Sequence, residues 1–296
     1  TPKGGITIDG GRVYFSGVTN YIMRHIRFKG GFEADWIPNT GDNKGSASFS
    51  SVGQQKDVIV DHVSFGFGET VVAWTKQGTK DGEVNNVTIQ NCLFSESNKG
   101  VIIGKNVDDT PYYYSGNMTM YNNVFYNVRY RTPNLTGNHK DGNSFDVINN
   151  LAWGNQGRMV RSSGDTNINL INNATYHSPN FLVTDKNLNL HSEGWQPKIY
   201  ANGNYINAPS ASGDLTYSIN QMNKDNKLSY KYFVGDRYGV QLPDNFFVSE
   251  PFTIKGELMV IANATDLRLK LANDVGCNAR LNADGSVSPN LDTHDT

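Results

Sequence analysis

The segment NVRYRTPNL, residues 127–135, sets Arg129 and Arg131 two apart with Pro133 close behind. Counted forward from a position that recurs along the chain, Glu69 stands six residues after Val63, Lys99 seven after Cys92, Arg131 eight after Asn123 and Arg158 eight after Asn150, so the four are expected to line one face. Stacked at about 5 Å per repeat, these side chains form a cationic stripe with one carboxylate at its end. Nearby like charges repel by roughly 1 kcal/mol or more per pair even beside water. A ligand carrying repeated negative charge would offset that repulsion. The competing reading is a set of long side chains splayed into water from a sheet edge. Pro133 fixes its own φ and favours an extended Thr132, which would hold the backbone of Arg131 at a defined angle.

Aromatic residues able to stack on sugar C–H faces accompany the cations, among them Trp74, Tyr112, Tyr113, Tyr114 and Trp153, with Trp74 and Tyr113 as substrate-binding candidates. Asp61-His62 invites a catalytic dyad. Neighbours in a strand point to opposite faces, however, so the spacing predicts a turn-stabilising pair without direct contact. No His-Glu-x-x-His, Gly-x-Ser-x-Gly or phosphate-binding loop is present.

The elements that must position these residues repeat. Seven runs share one frame: NYIMRHIRF (20–28), DVIVDHVSF (57–65), NVTIQNCLF (86–94), NMTMYNNVF (117–125), SFDVINNLA (144–152), NINLINNAT (167–175) and KIYANGNYI (198–206). The seventh residue of each run is Ile26, Val63, Cys92, Asn123, Asn150, Asn173 and Asn204 in turn. A short strand recurring at irregular spacing is the signature of a solenoid whose loops vary in length while its strands stay in register. The fold class is therefore all-β, a single-stranded parallel β-helix with long loops on one face and a C-terminal loop and helix cap. The four aligned asparagines form an internal ladder, because a buried amide needs partners. Residues 1–206 are the coils. Residues 207–296 are loops and a cap packed along them, with one helical segment, ATDLRLKLAND (264–274).

Composition narrows the function. The chain has 296 residues, a formal net charge of −2 and two cysteines, Cys92 and Cys277. There is no global basic field for nucleic acid, no apolar run long enough for a membrane span, and too few thiols for a disulfide framework or cysteine metal site. The first residues, TPKGGITIDGG, lack a signal-peptide pattern, so either export is absent or its signal lies outside this chain.

At this point the residues resemble a family. VIVDHVSF (58–65), NVTIQNCLFSESNKGVIIG (86–104), MYNNVFYNVRYRTPNL (120–135) and FDVINN (145–150) are similar to the pectate lyases of polysaccharide lyase family 1. NYIMRHIRFKGG (20–31) and LANDVGCNARLNADG (271–285) resemble flanking parts of its bacterial members. The resemblance implies a right-handed coil and cleavage of polygalacturonate by β-elimination. It matches Asp61-His62 to the family's Asp-His pair, Lys99 to its lysine, and Arg131-Thr132-Pro133 to the start of an Arg-x-Pro-x-x-Arg segment whose first arginine is the base. Lys99 and Arg131 are thus the implied catalytic residues.

Two positions depart from the pattern. Thr136 stands where the second arginine belongs, leaving Arg129 or Arg158 to bind the substrate carboxylate. Phe67 replaces one calcium-binding aspartate, and Glu69 remains as the plain candidate for calcium, with Asp108 and Asp109 nearby. Calcium is the implied cofactor, an acidic polysaccharide the partner, and a secreted or cell-envelope monomer the setting. A glycoside hydrolase on the same coil would need converging carboxylates, and a non-catalytic glycan-binding module would bind without turnover.

Overall fold

The computed structural model describes residues 6–30, 47–53, 55–68, 70–75, 84–104, 116–139, 142–155, 158–176, 182–184, 196–208, 211–215, 233–235, 240–242, 244–255, 262–271, 274–277, 279–281 and 287–289. The chain winds as a parallel β-helix, each coil contributing a strand to three faces in turn. Sheet I has seven parallel strands: Tyr21–Arg24, Gln55–Asp61, Val84–Gln90, Met118–Tyr121, Phe145–Ile148, Asn167–Ile171 and Lys198–Asn202. Sheet II follows each of them after a tight corner and includes Ile26–Lys29, Ser64–Gly66, Leu151–Trp153 and Ala174–Tyr176. Sheet III includes Ala47–Val52, Thr70–Thr75, Asn134–Thr136 and Val160–Ser163. Strand Leu93–Ile103 runs through the bend between sheets II and III, so these two faces are hydrogen-bonded as one sheet.

The corner between sheets I and II has a fixed recipe. The residue before the ladder position takes a left-handed conformation in coil after coil: His25, His62, Asn91, Asn122, Asn149 and Asn172 have φ between 49° and 55°. Asparagine tolerates this region because its short amide satisfies local backbone groups, which explains its frequency here. The next residue turns inward. Asn123, Asn150, Asn173 and Asn204 are fully buried, and each Oδ1 accepts the backbone N–H of the previous coil's ladder residue at 2.9–3.0 Å. Their Nδ2 groups donate to backbone carbonyls of Ile89, Met120, Val147 and Leu170 at 2.7–2.9 Å. The ladder register expected from the sequence is the one observed.

Beside the ladder, Phe28, Phe65, Phe94 and Phe125 stack one per coil, with ring centroids 4.8–5.3 Å apart. That spacing is the rung separation of a sheet, so equal positions in successive coils meet face to face. Beyond residue 207 the chain also adds a parallel rung, since Phe233–Gly235 pairs with Leu182–Thr184. A strap then returns along the coils. Phe252 exchanges backbone bonds with the Asn169 side chain, the helix Leu267–Leu271 buries Leu267 and Leu271 on Leu93, Val124, Leu151 and Ala174, and Cys277 N donates to Ser64 Oγ.

Candidate active site

The cations of the sequence converge at the bend between sheets II and III. Lys99 pairs with Thr70 on one side and with Tyr130 on the other, and further along the same strand Ile102 pairs with Asn134. Gly100 and Val101 therefore face three residues, Arg131, Thr132 and Pro133. This is a β-bulge, and such bulges bend a strand and re-aim its side chains. Arg131 occupies the extra position with φ 64°, a conformation that costs a non-glycine residue on the order of 1–3 kcal/mol.

Strand pairing corrects the predicted stripe by one residue: Lys99, seven on from Cys92, lies opposite Tyr130, seven on from Asn123, and not opposite Arg131. Equal counts from the ladder carry the pairing as far as Tyr130, and the residue inserted at Arg131 then advances that coil by one, so that Ile102 meets Asn134. In the next coil the register recovers. Asn134 pairs with Arg161, Thr132 N donates to Met159 O at 3.1 Å, and Arg161 N donates to Pro133 O at 2.9 Å. Arg131 and Arg158 thus keep the equal positions expected of them.

Tyr130 is the member that sequence reasoning missed. The guanidinium carbons of Arg129 and Arg158 lie 4.8 and 6.0 Å from its ring centroid, and Lys99 is its register partner. The ring is shared by two guanidinium groups that would otherwise repel. Arg161 was missed as well, although it stands eleven residues after Asn150 as Asn134 stands eleven after Asn123. Thr136, at the position of the family's second arginine, is buried and accepts a hydrogen bond from Asn134 Nδ2 at 3.0 Å. The backbone of Trp74 pairs with Ile103 and Ser51, while its side chain lies outside the described structure. Tyr113, Glu69, Asp108 and Asp109 also lie outside the described residues.

Close packing holds the bulge. Thr132, fully buried, donates its hydroxyl to Met159 O at 2.6 Å and accepts from Asn155 Nδ2 at 2.6 Å. A methyl on Gly100 would sit 2.7 Å from Arg131 O and 3.1 Å from a Val128 methyl. Backbone on that side cannot yield as a flexible side chain could. Gly100→Ala should therefore destabilise the fold by about 1–3 kcal/mol and displace Arg131 from Lys99, which denaturant unfolding and turnover together would measure.

Asp61 and His62 give a second correction. They touch: His62 Nδ1 lies 2.8 Å from Asp61 Oδ1. Strand alternation stops at His62, whose φ of 51° turns its ring back over its neighbour. Burial raises the Asp61 carboxyl pKa, but hydrogen bonds from His62, Asn91 and Gln90 and the charge of His62 outweigh it and hold the group well below the usual range. Arg24 Nε adds a bond at 2.7 Å. The pair sits at the corner between sheets I and II, away from the bend that carries Lys99.

A carboxyl depressed in the folded state contributes stability above its unfolded pKa and loses it as pH falls toward the folded value. Asp61→Asn should cost about 1–3 kcal/mol at neutral pH, and much less as the pH drops below about 4. Melting temperatures across that range would show the two curves converging.

Calcium takes six to eight oxygens. Glu96, near the bend, already accepts Asn127 Nδ2 at 2.7 Å, and among the described residues no three His, Cys, Asp or Glu converge. Glu69, the calcium candidate of the sequence, lies outside the described residues, and the described charged side chains of Lys99, Arg129, Arg131 and Arg158 at the bend are cations, which do not ligate calcium.

A family model described as pectate lyase matches residues 3–236. The chain belongs to the pectate lyase family. A probable pectate lyase C of Aspergillus flavus is 28% identical over 187 residues, 62% of this chain and 39% of that protein. Its namesake in Neosartorya fischeri is 25% identical over 221 residues, 72% of this chain and 45% of that protein. The chain spans less than half the length of these curated relatives. Among solved structures, a pectate lyase studied for its anti β-elimination mechanism aligns with a TM-score of 0.57 at 15% identity, covering 93% of this chain and 66% of that one. A pectate lyase bound to a hexasaccharide aligns with a TM-score of 0.53 at 14% identity over the same shares. These pectate lyases share the parallel β-helix.

Proposed function

We propose that this chain cleaves a uronic-acid polymer, polygalacturonate first among the candidates, by β-elimination at the bend between sheets II and III. The observation that carries the reading is the approach of Arg129 and Arg158 to the Tyr130 ring, with Lys99 its partner on the neighbouring strand and Arg131 on an adjoining bulge.

A uronate C5–H is far too weak an acid to ionise at neutral pH. The carbanion formed beside the carboxylate needs positive charge already in place, since preorganised charge costs no reorganisation during reaction. Lys99 and Arg158 supply it, with Arg129 and Arg161 at hand for neighbouring carboxylates. Arg131 accepts the C5 proton, the C4–O bond breaks with its electron pair leaving on the glycosidic oxygen, and a C4–C5 double bond remains. That oxygen takes a proton from solvent. Arginine is ordinarily protonated, with a pKa above about 12, so the base assignment rests on the match of Arg131-Thr132-Pro133 to the family segment.

Growth of absorbance near about 235 nm on polygalacturonate, from the conjugated product, tests the reaction. Turnover of neutral polymers alone would overturn it, and binding without product would point to a glycan-binding module. Glu69 stays the candidate calcium carboxylate: if it serves, chelation lowers turnover and Glu69→Gln raises the calcium needed to restore it. The substrate places the working enzyme outside the cell or in its envelope, and we propose that it acts there as a monomer. Among the described residues no helix is long and apolar enough to cross a membrane.

A further inference from the structure

Sheet II carries a second groove, around the corner from the cationic bend. One outward column crosses its rungs in register: Lys29 pairs with Gly66, Gly66 with Ser95, Ser95 with Tyr126, and Tyr126 with Trp153. At about 4.8 Å per rung the column runs about 19 Å along the helix axis. Its floor is low in the middle, at Gly66 and Ser95, and rises to aromatic faces at one end. Phe67 and Glu96 border it on one side, while Val275 and Arg268 of the C-terminal strap border it on the other, around a volume of about 720 Å³.

The lining has the chemistry of a site. Tyr126 is 50% exposed and Phe67 45%, large rings left open on a coil that stacks Phe28, Phe65, Phe94 and Phe125 in its interior. The ammonium of Lys29 lies 5.9 Å from the Phe67 ring centroid, and the guanidinium carbon of Arg268 lies 4.7 Å from that of Trp153. Among the described residues neither cation has a carboxylate in ion-pair range. Glu96, the acid bordering the trough, is held by Asn127, whereas Arg27, Lys29 and Arg268 all contribute to the lining. The trough is net positive on a protein of net charge −2.

We infer that this trough is a second binding site for an acidic oligosaccharide, with sugar faces on Tyr126 and Trp153 and carboxylates at Lys29 and Arg268. The inference rests on the reading of a uronate polymer as substrate. Both the trough and the bend run parallel to the helix axis, and strand Val124–Tyr130 joins them, with Tyr126 in one and Tyr130 at the other. An occupant of the trough therefore lies alongside the chain being cleaved. The site would anchor the protein on a neighbouring polymer strand within a bundle.

The test uses the full chain carrying Arg131→Gly, so that ligand is not consumed, titrated calorimetrically with hexagalacturonate and with neutral xylohexaose. Two sites for the acidic hexamer and none for the neutral one are expected. Lys29→Glu combined with Arg268→Glu, or separately Ser95→Phe, which fills the floor, should reduce the stoichiometry to one and weaken binding to the polymer about tenfold or more. Both changes lie at outward positions, and an unchanged melting temperature confirms that the fold survives. A single site from the outset, two sites that survive both variants, or equal binding of xylohexaose overturns the inference. Two-site binding by a parent chain that makes no product absorbing near about 235 nm overturns the lyase reading and leaves the trough standing.

Discussion

Arg131→Gly should abolish detectable product on polygalacturonate, a fall of about 10²–10⁴ in turnover or more, while the protein becomes slightly more stable. The two halves of this result have separate causes. Loss of the side chain removes the group placed to take the C5 proton, and no other residue occupies the bulge position. The backbone at residue 131 has φ 64°, which glycine adopts without strain, so about 1 kcal/mol of conformational cost disappears. Arg131→Ala should lose activity equally without that gain. Progress curves and denaturant midpoints on the two variants would check the pair. Residual turnover within tenfold of the parent would remove Arg131 from the reaction. A marked loss of stability in the glycine variant would mean that the side chain, not the bulge, was holding the coil together.

The largest effect on stability belongs to the ladder. Asn150 accepts from the backbone N–H and Nδ2 of Asn123, and its own Nδ2 donates to Met120 O and Asn173 Oδ1. Asn150→Leu matches its bulk roughly but leaves the buried Asn123 backbone N–H without its acceptor, takes one of two acceptors from Asn123 Nδ2 and removes the Asn150 donor from Met120 O. At about 1–3 kcal/mol for each group left without a partner, partly relieved by relaxation, the cost should be about 2–5 kcal/mol, a large part of the whole stability of many domains. Soluble protein should fall sharply, and any that remains should melt well below the parent. Asn123→Cys is the informative contrast. The neighbouring rung already uses Cys92, whose thiol bonds Gln90 O and Val60 O, so a cysteine at 123 should cost distinctly less than a leucine at 150.

These two results probe opposite ends of what one-dimensional reasoning can reach. The ladder was legible because its asparagines are confined by burial: an amide with no access to water must repeat in register with others that satisfy it, and that demand is written directly into residue identity and spacing. Phe28, Phe65, Phe94 and Phe125 close four of the seven runs, and the structure stacks them in one column. At the site, the matching positions of Arg131 and Arg158 followed from the same count. Lys99 did not, because it stands seven residues after Cys92, the count that Tyr130 and not Arg131 has after Asn123, and a one-residue slip is enough to change a register partner. Asp61 and His62 misled for a related reason. Alternation assumes extended backbone, and a left-handed residue suspends it at the one place where the contact forms.

Taken alone, the sequence determined the coil, its register along the ladder and the identity of the cations that gather on one wall, since each of these depends on which side chains must be buried or neutralised together. Tertiary structure alone decided the bulge that carries Arg131, the ring of Tyr130 between Arg129 and Arg158, the contact of His62 with Asp61, and the trough from Lys29 to Trp153. The division has one physical cause. Burial and pairing constrain composition at periodic positions, whereas a local change in backbone twist redirects side chains without altering composition at all.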